Sequence, residues 1–342
     1  MNSFFERGIF VIGPTASGKT AFAHRLAEML AVEHRIECEL INCDAFQFYR
    51  GMDVGAAKPP PHELERYNYR GVDILDPLQS IDAAEYAAFV WAQCRDISAL
   101  GKMPICVGGS GLYLRAVLHG LDPLPPRNDE LRRMLRASAA EWGWPLLHDW
   151  LKALAPTRAG QLHPNDKTRI ERALEIVFQL PEGVSPDSLF SHSQPLNQQE
   201  LLGNCYVVHI ECSDAALKTR IDSRLDEMFS RGWIAEVRIL RQRWGDEFFN
   251  SQAGKAIGYR EIDSALVESV KNDKANGIPV SAESLVGELK AKIATLTWQY
   301  VRRQRTWNAK EHCDWKFDSS GGIVDLHFPA SFLSFLKNHT SK

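Results

Sequence analysis

Short apolar runs and helical patterning alternate through the first third of the chain. Residues 8–12 (GIFVI) form an apolar run that ends at a glycine, and helical patterning follows over 18–31. A second run, 38–43 (CELINC), ends at Asp44. A third, 103–107 (MPICV), ends at Gly108–Gly109 with a helix-like stretch at 81–100 before it. Continuous apolar strands separated by helices predict a parallel sheet covered on both faces. Ligands in such sheets bind at the carboxyl ends of the strands, and all three runs deliver polar or glycine-rich residues there.

The pattern changes after Gly120. Residues 121–128 hold three prolines, and the periodicity from 129 to 180 is helical, with Leu131/Leu135, Leu147/Leu151 and Ile170/Leu174/Val177 recurring at three or four. Residues 181–204, rich in Pro, Ser, Gln and Asn, read as loop. The run 206–211 (YVVHIE) predicts another buried strand, Ser213 or Asp214 a helix N-cap, and Gly232 the stop of a helix reaching Arg231. Leu285, Leu289, Ile293, Leu296 and Tyr300 keep helical spacing in a long helix near 284–308. His163-Pro-Asn-Asp166 reads as a turn, with Asp166 capping the next helix.

The segment Gly13-Pro14-Thr15-Ala16-Ser17-Gly18-Lys19-Thr20 fits the P-loop pattern GxxxxGK[ST], placed after a strand and opening a helix. Backbone N–H groups of such a loop and of the helix terminus converge on an anion. Glycine permits the close approach, Lys19 adds a mobile charge, and the Thr20 hydroxyl can ligate Mg²⁺. The motif specifies a di- or triphosphate without saying which. The expected architecture is therefore α/β: a P-loop NTPase-like core at 1–120 and 204–325 with a parallel sheet flanked by helices, an all-helical insertion at 121–203, and a C-terminal tail at 326–342.

Three further features admit more than one reading. Asp44 at a strand end suits a magnesium-associated carboxylate, a helix N-cap, or a base that accepts a proton from a weakly nucleophilic amine. Arg220 and Arg224 share a helical face and can clamp a diphosphate, although Asp222 and Asp226 interleave and would suit a solvated charged face. Residues 302–310 carry Arg302, Arg303, Arg305 and Lys310 without an acid, flanked by Trp298, Tyr300 and Trp307. That mixture grips phosphates and stacks on unpaired bases, or it forms a solvated basic helix end. No DDxxD-type acidic motif exists, so an Mg²⁺-diphosphate reaction would rest on the P-loop.

Composition narrows the class. With 342 residues, 44% hydrophobic and 24% charged, the chain suits a globular enzyme of about two domains. A net charge of −3 argues against indiscriminate coating of nucleic acid but allows a local basic face. The seven cysteines (38, 43, 94, 106, 205, 212, 313) form no CxxC pair and read as reduced thiols. No secretion signal or membrane segment is expected, which points to a cytoplasmic protein.

Taken in order, several segments resemble the bacterial tRNA dimethylallyltransferase (tRNA isopentenyltransferase) family. They are GPTASGKT at 13–20, DAFQFYRGMDVGAAKP at 44–59, VGGSGLY at 107–113, LHPNDKTRIERALEI at 162–176, IGYRE at 257–261 and RRQRTW at 302–307. The resemblance implies transfer of a dimethylallyl group from dimethylallyl diphosphate to the N6 amine of the adenine 3′ of the anticodon, with Mg²⁺ as cofactor. The tRNA anticodon stem-loop would be held by the core and the insertion of a monomer. By matching position it implies Asp44 as base, Thr15 at the leaving oxygen, and Lys19, Arg220 and Arg224 on the diphosphate. Thr20 would ligate the metal. It implies tRNA contacts from Asp44, Ala45, Phe46, Gln47, Ser110, Arg132, Thr168, Arg169, Ile170, Glu171, Arg172, Lys255, Gly258, Tyr259, Arg260, Arg302, Arg303, Gln304 and Trp307. The chain departs from the family at Ala45 (usually serine), Ala56 (threonine) and Trp298 (arginine), while Ser110 keeps a hydroxyl where threonine is usual. Prenyl transfer to free AMP, ADP or ATP, and an ordinary P-loop kinase or ATPase, are the competing readings.

Overall fold

The computed structural model describes residues 7–121, 124–181, 183–191, 205–276, 282–323 and 326–340. Much of the loop expected at 181–204 therefore lies outside the described residues. The chain divides into two compact units, Met1–Leu118 with Gln198–Lys342, and His119–Asn197.

The larger unit is built on five parallel strands: β1 (Gly8–Ile12), β2 (Cys38–Cys43), β3 (Met103–Gly108), β4 (Cys205–Glu211) and β5 (Trp315–Asp318). Their order in the sheet is β2-β3-β1-β4-β5. Side chains alternate across a strand, and β1 shows the result. Ile9 and Val11 join the cluster of Phe22, Leu26 and Leu30 from α1 (Lys19–His34). Phe10 and Ile12 join the opposite cluster. That second cluster takes Tyr86, Val90 and Ile97 from α3 (Ala83–Ala99) and Leu114 and Val117 from α4 (Gly111–His119). The short α2 (Pro61–Arg66) lies between β2 and α3 in sequence. The sheet is thus buried on both faces, as continuous apolar strands require.

In the smaller unit α5 (Asp129–Trp142), α6 (Trp144–Leu154), α7 (Pro156–Gly160) and α8 (Lys167–Val177) share a core of Leu135, Leu147, Leu151, Ile170 and Leu174, with α9 (Pro186–Ser191) following. Asp166 caps α8 by accepting from the Arg169 N–H at 3.2 Å. Glu175, wholly buried, accepts from Arg132 Nε and Nη2 (both 2.9 Å), Arg172 Nη1 (2.6 Å) and the Asn128 N–H (2.6 Å). Burial opposes its charge, but these donors overcome that and hold its carboxyl below the usual range.

After β4 the larger unit continues as α10 (Asp214–Ser230), α11 (Trp233–Asn250), α12 (Tyr259–Asn276) and α13 (Ala282–Asn308), which bury Leu225, Val237, Phe248, Ile262 and Ile293 in one cluster. Ser213 is the cap of α10, accepting from the Ala216 N–H at 3.3 Å. Residues 233–276 show no predicted element, yet two helices stand there. Residues 326–342 are expected to be a tail. Among the described residues of that stretch, α14 (Ala330–Thr340) buries Phe332 and Leu336, with Phe332 against Tyr206 at 4.9 Å. Strand β5 escapes a pattern search because it is four residues long, yet Trp315 and Phe317 pack on Phe22 at 5.4 and 4.9 Å.

Because Glu175 is the shared acceptor of two arginines, Glu175→Ala removes the carboxylate both guanidinium groups pair with, although Arg172 keeps its bond to the Pro125 carbonyl. It should destabilise the protein by about 1–3 kcal/mol, read as a lower urea midpoint. Depressed carboxyl pKa values contribute stability above the unfolded value, so the wild-type increment should fade as pH drops below about 4.3.

Candidate active site

All five strands are parallel, so their carboxyl ends meet at one edge, and the P-loop springs from the end of β1 there. Ala16 and Gly18 adopt left-handed φ of 61° and 87°, which turns successive N–H groups inward as an anion nest. Neighbouring backbone presses close. A Cβ on Gly13 would lie 2.6 Å from the Ile210 carbonyl oxygen, one on Gly108 1.9 Å from that of Cys43, and one on Gly109 2.3 Å from that of Gly13. Lys19 folds over the loop and donates from Nζ to the Pro14 carbonyl at 2.7 Å.

The arginines of α10 face this loop rather than their acidic neighbours. Arg220 Nη1 donates to the Ser17 carbonyl at 3.3 Å and to Ser319 Oγ at 3.2 Å, and its Nη2 donates to the Ser319 carbonyl. Arg224 Nη1 lies 3.5 Å from Thr15 Oγ1. Asp222 and Asp226 are exposed, and Asp226 pairs with Lys290. The solvated-face reading therefore fails.

Asp44 closes β2 in a local turn. Its N–H donates to Asn42 Oδ1 at 2.9 Å, and its Oδ1 accepts from the Phe46 N–H at 3.0 Å. No helix begins here, so the capping reading fails as well. Asp44 lines a cavity of about 220 Å³ together with Thr15, Ala16, Phe46 and Arg224. The remaining walls are largely apolar, from Ile221, Leu225, Met228, Trp233, Ile257 and Ile293, with Tyr300, Arg303 and Lys255 also at the cavity. Burial lowers the Lys19 pKa to about 8; Asp44 works against that shift and Arg224 adds to it. Burial pushes the Tyr300 hydroxyl up to about 12, with Asp44 acting in the same direction.

Several residues carried over as tRNA contacts also make contacts within the fold. Gln304 is buried: its Oε1 accepts from the Thr15 N–H and its Nε2 donates to the Gly109 carbonyl, both at 2.8 Å. It joins α13 to the P-loop and the end of β3. Ser110 Oγ accepts from the N–H of buried Ala45 at 3.3 Å. Gln47 Nε2 donates to the Ala56 and Ala57 carbonyls at 3.3 and 3.2 Å. Gly258 has φ 99°, and a Cβ there would lie 2.1 Å from the Trp233 ring. Tyr259 is wholly buried and donates to Glu236 Oε1 at 2.7 Å. Arg260 donates to the Phe249 carbonyl. Trp307 packs on Gly111, and beside it Arg305, not among the carried-over contacts, holds Asp214 and the Cys212 carbonyl. In the smaller unit Ile170 and Glu171 are buried, Glu171 bonding Arg136, while Arg132 and Arg172 are committed to Glu175. Thr168, Arg169, Lys255, Arg260, Arg302 and Arg303 are exposed.

Ser319 and Glu236 are absent from the sequence-based assignment. A lone serine after a short strand and a glutamate in a helix carry no motif, and their partners lie far away in the chain. Among the described residues no three His, Cys, Asp or Glu side chains gather as a metal cluster.

A family model described as IPP transferase matches residues 47–311. Among solved structures, the chain is similar to the full-length tRNA isopentenylpyrophosphate transferase of Bacillus halodurans. That match has 29% identity and a TM-score of 0.60, covering 98% of this chain and 94% of that one. It is also similar to the tRNA delta(2)-isopentenylpyrophosphate transferase of Staphylococcus epidermidis, at 28% identity and a TM-score of 0.55, covering 98% of each. A eukaryotic dimethylallyltransferase acting on tRNA shares the fold at 21% identity and a TM-score of 0.72, covering 92% of this chain and 74% of that one.

Anion binding should titrate with Lys19. Its pKa is lowered to about 8 in the free protein, and a bound diphosphate favours the charged form. Affinity for inorganic diphosphate should hold below that pH and fall by up to about tenfold per unit above it, measured calorimetrically. Lys19→Arg should remove that fall.

Proposed function

The chain belongs to the IPP transferase family, and from this premise we propose that it moves a dimethylallyl group from dimethylallyl diphosphate to the N6 amine of the adenine 3′ of the tRNA anticodon. One observation carries the reading. A single cavity has the phosphate nest at Thr15–Ala16, a carboxylate at Asp44, and an apolar wall of prenyl-compatible side chains.

The chemistry follows from that arrangement. The diphosphate sits in the nest under Lys19 and Arg224, with the Thr15 hydroxyl at the bridging oxygen. Arg220 acts from behind, fixing the loop through Ser17 and Ser319. The adenine enters beside Asp44, Phe46 and Tyr300, and flipping a base that is already unpaired costs little. The amine nitrogen attacks the allylic C1, the C1–O bond breaks, diphosphate leaves, and the amine proton passes to Asp44. Fixed cations stabilise the charge that develops on the leaving group. Mg²⁺ is the expected cofactor. Without a carboxylate cluster, the fitting donor is the Thr20 hydroxyl together with phosphate oxygens, the usual mode for this ion, and the bound ion would neutralise diphosphate charge.

Exposed Arg302, Arg303, Lys255, Arg169 and Thr168 are the proposed tRNA contacts, working from a single chain as a monomer. A tRNA substrate supports a cytoplasmic place of work. Among the described residues no helix is long and apolar enough to cross a membrane.

With labelled dimethylallyl diphosphate and Mg²⁺, label should enter tRNA and not AMP or ATP. Asp44→Ala should lower turnover by about 10²–10⁴-fold and leave the tRNA dissociation constant nearly unchanged. A variant that keeps its turnover assigns the base elsewhere. Arg303→Ala should weaken tRNA binding and reduce its salt slope by about one unit, read by filter binding across salt concentrations.

A further inference from the structure

The cavity lining includes Gly55 and Ala56 of a loop, Asp53–Ala56, held by an unusual set of bonds. Glu236, on α11, accepts from three consecutive backbone N–H groups: Asp53 and Val54 on Oε2, both at 2.7 Å, and Gly55 on Oε1 at 3.0 Å. The Tyr259 hydroxyl also donates to Oε1, at 2.7 Å. No Lys, Arg or His among the described residues pairs with this carboxylate. The loop is a second anion nest, and the protein's own side chain fills it.

The same helix supplies what the loop rests on. Trp233 lies three residues before Glu236, hence on the same face of α11, is 1% exposed, and lines the cavity. Gly55 sits directly on its indole, where a Cβ would lie 2.1 Å from Nε1. Gln47 holds the far side of the loop through the Ala56 and Ala57 carbonyls. Glu236 therefore fixes two walls relative to each other, the backbone of Gly55–Ala56 and the Trp233 ring. Gly55, Ala56 and Trp233 all line the cavity, so the spacing of these two walls bears on how much apolar chain that side admits.

We infer that Glu236 is a positioning residue that clamps the Asp53–Ala56 loop onto Trp233 and thereby restricts the donor to a five-carbon allylic chain. The inference rests on the prenyl-transfer reading above. It also accounts for the two motifs DVGAAKP and IGYRE occurring together, because Glu236 bonds the backbone of the first and the tyrosine of the second.

The test compares wild type, Glu236→Ala, Glu236→Gln and Gly55→Ala. Steady-state transfer to tRNA is measured from dimethylallyl and from geranyl diphosphate, alongside tRNA affinity and thermal midpoint. Glu236→Ala should lower kcat/KM for the five-carbon donor by about tenfold or more, chiefly through a higher donor KM. The geranyl-to-dimethylallyl ratio should rise by about fivefold or more, and tRNA affinity should stay within about twofold. Glu236→Gln, which keeps the shape and one strong acceptor, should fall between. Gly55→Ala lifts the loop from the indole with Glu236 intact and should raise the ratio likewise, so it decides the matter if Glu236→Ala does not fold. A lower thermal midpoint with an unchanged donor ratio and KM would overturn the clamp. An inactive wild type in the same assay would overturn the prenyl-transfer reading beneath it.

Discussion

Three glycines let backbone segments at the carboxyl edge of the sheet approach within distances that no side chain permits. Gly13 lies against the Ile210 carbonyl, Gly108 against that of Cys43, and Gly109 against that of Gly13. Since Cys43 precedes Asp44 and Gly13 opens the P-loop, the contacts of β3 with β2 and β1 fix how far the carboxylate stands from the phosphate nest. A Cβ at any of the three would push strand ends apart. The site depends on that spacing, because charge near a leaving group acts only when it is placed before the reaction begins.

Around this edge, buried polar side chains act as cross-links. Gln304 ties the last long helix to Thr15 and Gly109, Arg220 ties α10 to Ser17 and Ser319, and Ser110 ties the end of β3 to Ala45. Each joins segments distant in sequence, and each satisfies a backbone group that burial would otherwise leave costly. The RQRTW segment illustrates the division of labour. Gln304, Arg305 and Trp307 serve the fold, whereas Arg302 and Arg303 project outward. A basic helical stretch thus carries fold-holding and exposed residues on different faces.

The departures at Ala45, Ala56 and Trp298 sit differently in this frame. Ala45 and Ala56 are buried, so their missing hydroxyls alter the lining and packing of the core rather than an open RNA surface. Trp298 instead gathers cations, with Lys218 at 5.1 Å and Arg305 at 5.9 Å from its ring. An aromatic face that attracts cations takes over ground where an arginine would carry the charge itself.

The sequence alone determined the first four strands, the P-loop, the cap at Asp166 and the helical character of 129–180. These features are local: a run of apolar residues, a turn of glycines or a capping side chain follows from neighbours within a few positions. It could not show that Gln304, Tyr259, Arg132 and Arg172 bond within the fold, because chemical type does not reveal a side chain's partner. Nor could it find Glu236 or Ser319, or tell that Asp44 caps no helix. Those outcomes depend on which groups lose water together when segments hundreds of residues apart pack. Only the tertiary structure decides that, since an unpaired buried donor or acceptor takes whatever partner the fold brings within reach.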